Sequence, residues 1–117
     1  MKYQLKEVIN EKYAKAVNIL KDNLKEHYHV FYGLRLSEIL FPASEYGSDT
    51  FFNEFEAINS ITLPLIIFEM NERKPVAIIG FEKISGAVFV EQFDIMVLVI
   101  DDLSELLTNE TLNLLYH

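Results

Sequence analysis

The stretch ITLPLIIFEMNERKPVAIIGFEK, Ile61 to Lys83, constrains the fold more than any other part of the chain. Leu63 to Phe68 and Pro75 to Phe81 are apolar, β-branched in part and of strand length. The turn-like NERK joins them, so a β-hairpin is predicted here, with Glu69, Glu72 and Glu82 close to it.

The flanking sequence supplies what would cover such a hairpin. Leu5, Val8, Ile9, Tyr13, Ala16, Val17, Leu20 and Leu24 recur at helical spacing, which predicts one long amphipathic helix from Leu5 to about His27. Tyr28 to Leu36 reads as a strand, and Ser37 to Leu40 as one helical turn before Pro42. PASEYGSD is a loop, after which Ser48 can cap a helix ending near Asn59. Phe51, Phe55 and Ile58 would share a face of that helix with Phe52 beside them, and the three aromatics are expected in the core. Gly86 to Val90 fits either a strand or a brief helix. Phe93 to Ile100, FDIMVLVI, is a continuous apolar run, the mark of a strand covered on both faces, and is expected at the centre of the sheet. Asp102 and Glu105 form a D-x-x-E capping signature before a last helical segment carrying Leu103, Leu106, Leu107, Leu112, Leu114 and Leu115. The expectation is a single domain, residues 1 to 117, of the α/β (α+β) class. A central mixed sheet of about four to five strands is covered by a long N-terminal helix, a middle helix and a C-terminal helix.

Composition excludes several functions. Half of the 117 residues are apolar, enough for one continuous core. No cysteine is present, which removes disulfides, thiolate zinc sites and cysteine nucleophiles and fits a reducing compartment. The first residues carry frequent charges and no apolar signal region, and no apolar run approaches the roughly 20 residues of a membrane span, so a cytoplasmic protein is expected. Net charge is -8, and it is unevenly spread. Six lysines and four acids precede His27, leaving +2 there and -10 from residue 28 onward. Glu38 to Glu56 and Glu91 to Glu110 contain acids and no base, a distribution that repels phosphates and argues against direct nucleic-acid binding.

The order of elements, and the run from VFYGLRLSEILFP through FEAINSITLPLIIFEMNERKPVAIIGFEK, resembles the small bacterial nuclease-related domains of the PD-(D/E)XK restriction-endonuclease-like superfamily over residues 5 to 100. The resemblance implies a helix before a core of strands, two of which present acids to Mg²⁺, since a hard cation needs oxygen ligands while it activates water. Position by position, the first Asp falls at Pro64, the second acid at Gly80 and the third motif residue at Glu82; Lys83 lies one place beyond the motif lysine. Sliding the register by one residue turns the strand over, so it does not restore the set. The resemblance therefore implies the fold without the chemistry.

Other catalytic patterns are missing. His27 and His29 lie two apart, as strand ligands would, but no third ligand is placed to join them, and ordinary polar histidines are expected. No G-x-S-x-G elbow and no glycine-rich phosphate loop occurs. No catalytic residue, metal site or cofactor is expected. What is left is an acidic domain suited to covering a basic protein surface. The expectation is an immunity or inhibitor protein that neutralises a toxin or nuclease, with Glu45, Asp49, Glu54, Asp101, Asp102 and Glu105 offering carboxylates to Lys or Arg. The alternatives are a metal-dependent nuclease with displaced ligands drawn from Glu54, Glu69 or Glu82, and a structural homo-oligomer such as a homodimer.

Overall fold

A computed structural model describes residues 1–117 of the chain, and four strands pair in it as one sheet. They are β1 (Tyr28–Tyr32), β2 (Leu65–Glu69), β3 (Lys74–Gly80) and β4 (Met96–Val99), in the order β1-β2-β3-β4. The hairpin expected from the two apolar runs is β2 and β3, antiparallel from Leu65↔Ile79 to Glu69↔Lys74 with an irregularity between Ile67 and Phe68. β1 pairs antiparallel with β2, and β4 runs parallel to β3, so the sheet is mixed.

Because β2 and β3 are central, their alternate residues must satisfy two cores. Leu65, Ile67, Ala77 and Ile79 join Ala16, Leu20, Leu24, Ile100, Leu106 and Leu112 on one face. Ile66 and Ile78 join Leu36, Ile58, Leu63, Ile84 and Val90 on the other. One layer thus holds helix α1 (Glu11–Asn23) and two short helices at the end of the chain. The other holds the 3-10 turn Leu36–Glu38, α2 (Asp49–Asn59) and α3 (Ala87–Val90), and the fold is a three-layer α+β domain. The wholly buried side chains Leu20, Leu65, Ile66, Ile67, Ile78 and Ile79 each stabilise it by about 1.5–3 kcal/mol relative to exposure. No helix is long and apolar enough to cross a membrane.

Several boundaries differ from the sequence expectation for identifiable reasons. α1 begins at Glu11, not near Leu5, because the Asn10 side chain accepts the Tyr13 N–H at 2.9 Å while its own backbone is extended. The apolar spacing continues upstream of that cap, but residues 1–9 form no helix and Leu5 is 102% exposed. At its other end α1 stops at Asn23, where Leu24 turns extended and bridges to Tyr116. β1 ends at Tyr32, before Gly33 turns the chain at φ 78.

β4 is an edge strand, not the central one. Its apolar run reflects coverage on both faces, since Met96 and Leu98 pack on one core and Val97 on the other, with Ile95 just before it. Coverage of faces does not require a neighbour on each edge, and Val99 is 55% exposed. Gly86 to Val90 resolves as helix, entered through Gly86 at φ 87, a conformation that disfavours a side chain. The final segment is two helical turns, α4 (Glu105–Thr108) and α5 (Glu110–Asn113), separated where Asn109 becomes extended and caps the second.

Candidate protein-binding face

The α2 layer carries the most distinctive surface of the molecule. Ser48 begins α2 by accepting the Phe51 N–H at 3.1 Å, while its hydroxyl donates to the Glu45 carbonyl at 2.7 Å. Glu45 is therefore held one turn before the cap and Asp49 at the first helical position, where the positive end of the helix dipole favours a carboxylate. Residues 51 and 58 are two turns apart and face inward, so Phe51 and Ile58 are buried.

Phe52 lies about 100° around the helix from Phe51 and points outward, and Phe55 is exposed as well. The expectation that all three aromatics enter the core holds for Phe51 alone. Around it the exposed rings of Phe41, Tyr46 and Phe52 stack edge-on at 5.4, 4.9 and 5.6 Å. Phe41 is 72% and Tyr46 79% exposed, a large aromatic area for a domain of this size to leave in water.

Beside this cluster runs a groove of about 620 Å³ lined by Leu40, Phe41, Ala57, Phe89 and Phe93, with Glu54 its single charged side chain. No Lys or Arg occurs from Leu36 to Glu72 or after Lys83. The molecule's two ion pairs, Glu11–Lys15 at 3.1 Å and Glu72–Lys74 at 2.7 Å, involve none of Glu45, Asp49 and Glu54. These three carboxylates are exposed and lack a basic partner.

The other three expected recognition acids sit in the opposite layer and have local work. Asp102 accepts both the backbone N–H and the hydroxyl of Ser104, and hydrogen bonding from the Ser104 side chain, more than any other influence, holds its carboxyl below the usual range. Glu105 accepts the Asp101 N–H at 3.2 Å, and the Lys12 ammonium donates to the Asp101 carbonyl at 2.8 Å. The turn before α4 is built from these groups and tied to α1. The capping signature is realised differently from the sequence reading: Asp102 accepts from Ser104 two residues on, and Ser104 occupies the cap position without a side-chain bond to the helix N–H groups.

The hairpin glutamates are likewise structural. Glu69 accepts the N–H groups of Asn71 at 2.7 Å and Glu72 at 3.0 Å, so its carboxylate organises the turn in which Arg73 takes a positive φ of 59. Lys74 holds the exposed Glu72 carboxyl below its usual range, chiefly through their hydrogen bond. His27 stacks on Tyr28 with ring centroids 4.3 Å apart, and His29 is exposed on β1.

At the end of the sheet, Tyr13, Tyr32, Pro64, Glu82 and Lys83 line a cleft of about 550 Å³. Glu82 is its only carboxylate, and no group of three His, Asp or Glu side chains in the molecule lies close enough to hold a metal ion. Gly80 backs onto Pro64 and Ile84: a Cβ there would meet Ile84 Cγ1 at 3.0 Å and Pro64 Cγ at 3.1 Å. The Tyr13 hydroxyl accepts the Phe81 N–H at 3.1 Å and so joins α1 to the end of β3.

Of the expected acids, Glu45, Asp49 and Glu54 lie on the α2 side of the sheet, and the exposed aromatic rings there were not expected from the sequence. A signal was present: Phe51, Phe55 and Ile58 already make up one stripe of α2, and Phe52 lies about 100° from Phe51 at its edge. The groove, by contrast, is made by Phe41, Ala57 and Phe93 from three separate segments and has no local signature. No family model matches the chain, and no curated protein or solved structure shows significant similarity to it.

Proposed function

We propose that this chain is a non-catalytic acidic protein-binding domain, an inhibitor or immunity protein that occludes the basic surface of a nucleic-acid-processing enzyme or toxin in the cytoplasm. The observation that carries the reading is the groove beside α2, where the exposed rings of Phe41, Phe89 and Phe93 and the unpaired Glu54 carboxylate border an apolar floor, with Glu45 and Asp49 exposed at the N-terminal end of the same helix. Aromatic anchors in apolar pockets supply most of the affinity of protein interfaces, and surrounding charges accelerate encounter with a partner of opposite sign. Glu45, Asp49 and Glu54 are the recognition charges of this reading. Asp101, Asp102 and Glu105 support it less, because their layer is opposite and their groups hold a turn.

Resemblance to the restriction-endonuclease-like superfamily adds support of a different kind. A helix precedes the strands, and Pro64, just before β2, packs against Gly80 at the end of β3, the two positions where that family would present acids.

Purification of the tagged full chain from its source cells, identification of the bound protein and titration of the pair test the proposal. The expected partner is basic. Its affinity falls at least tenfold on Glu45→Lys with Glu54→Lys, and weakens as salt rises. Salt-independent binding that survives both reversals would sink the proposal. So would Mg²⁺- or Mn²⁺-dependent cleavage of DNA or RNA that is lost in Glu82→Ala.

A further inference from the structure

Residues 1–9 form an arm without helix or strand, on which Met1, Tyr3, Leu5 and Val8 are all exposed. Five of its nine residues are apolar, and its charges are Lys2 and Lys6 against Glu7. Val8 lines the cleft with Tyr32 and Pro64, while Met1, Tyr3 and Leu5 stand in solvent, because the Asn10 cap stops the segment from continuing α1.

The α2 groove is its chemical complement. The floor is apolar, Glu54 is the charge within it, and no cation lines it. One wall comes from residues 40–58, which hold Glu45, Asp49, Glu54 and Glu56 and no base, and the other from residues 89–93, which hold Glu91 and no base. Lys74, in the adjoining cleft with Phe41 and Phe93, is already paired with Glu72.

We infer that the N-terminal arm of a second copy of the chain seats in this groove, so that two copies exchange arms. The arm's own groove is the less accessible of the two. α1 covers one face of the sheet and the groove lies on the other, while Val8 sits at the sheet's end beside Tyr32 and Pro64. To reach its own groove the arm must double back around that end. A partner's groove can receive it extended from solvent, over about 30 Å of chain. Exchange is reciprocal and closes at two copies, leaving no free arm or groove. This rests on the groove being a docking surface and adds its regulation: arm and basic partner compete for one place, and the paired form is the latent one.

Sedimentation velocity of the full chain across concentration tests the inference, with Leu5→Asp and Lys2→Glu/Lys6→Glu in the arm and Glu54→Lys in the groove. The arm variants touch no packed residue, so circular dichroism should not change. Wild type is expected to dimerise, Leu5→Asp to be monomeric at the same concentration, and both charge variants to dissociate more readily. A peptide of residues 1–10 added in excess should convert the dimer to monomer and shift the amide resonances of Ala57, Phe89 and Phe93. A chain monomeric at every concentration, a dimer indifferent to Leu5→Asp, or a monomer whose own arm protects the groove would overturn the exchange. If wild type is monomeric while Glu54→Lys still weakens the basic partner, only the exchange fails. If arm-dependent dimers form but partner affinity ignores Glu45 and Glu54, only the functional reading fails.

Discussion

Gly80 and Pro64 stand back to back at the end of the β2–β3 hairpin, so close that a Cβ on Gly80 would lie 3.1 Å from Pro64 Cγ. Ile84 Cγ1 at 3.0 Å and the Glu82 carbonyl oxygen at 3.3 Å close the other sides. Gly80 itself is buried, so a methyl group there has to displace packed neighbours. Gly80→Ala is expected to lower stability by about 1–3 kcal/mol, the usual cost of overpacking, read as a lower urea midpoint with an unchanged slope. A larger cost is expected for Gly80→Asp, which adds an unpaired carboxylate to the same space. A midpoint unchanged in Gly80→Ala would mean that Pro64 or Ile84 gives way freely.

The turn of the same hairpin depends on Glu69. Its carboxylate caps two N–H groups that the strands cannot pair, those of Asn71 and Glu72. Glu69→Ala is expected to cost about 1 kcal/mol, comparable to losing a helix cap. Faster hydrogen exchange should appear at Asn71 and Glu72 before it appears at Ile66 or Ile78 in the strand centres. Uniform exchange changes along both strands would instead place Glu69 in the global stability of the sheet.

How much of this was legible in the sequence depends on what a local pattern reports. Alternation and apolar runs report covered faces, so β2 and β3 were recognisable and β4 was correctly seen as covered. They do not report paired edges, and β4 was therefore misplaced at the centre of the sheet. The stripe through Leu5 and Val8 reported helical spacing without noticing that Asn10 supplies a stop. Charge reported where acids cluster, but Asp101, Asp102 and Glu105 are spent on a turn while Glu45, Asp49 and Glu54 remain unpaired by any cation. That distinction needs the three-dimensional positions of Ser104 and Lys12.

The last residues of the chain are closed onto α1 and α4 by Tyr116, whose hydroxyl donates to the Leu106 carbonyl at 2.6 Å. Burial pushes this phenol up from 10.0 to about 12. The unfolded chain releases the proton near 10, so between those values the native state holds more protons than the unfolded one and stability falls as pH rises. The contribution is complete below pH 10 and lost as pH climbs through about 12. Tyr116→Phe should lose about 1 kcal/mol at neutral pH with the hydrogen bond and then show a shallower decline than wild type in the alkaline window. Parallel alkaline curves for the two proteins would show that Tyr116 ionises freely in the fold.

Phe51 and Phe52 point to different sides of α2, one into the core and the other into solvent. Phe51 is 4% exposed, and its ring is surrounded by Phe41, Tyr46 and Phe52. Phe51→Ala is expected to cost about 3–5 kcal/mol as a large core truncation. Phe52 gives most of its ring to solvent, so Phe52→Ser should stay within about 1 kcal/mol of wild type. Phe41, by contrast, is 72% exposed and lines the groove, so Phe41→Ser removes an aromatic anchor from the proposed interface and should weaken the basic partner at least tenfold, through faster dissociation. Thermal melts and binding titrations on the three variants separate the roles. Equal loss of stability in Phe51→Ala and Phe52→Ser would make Phe52 a core residue, and unchanged affinity in a folded Phe41→Ser protein would move the interface away from the groove.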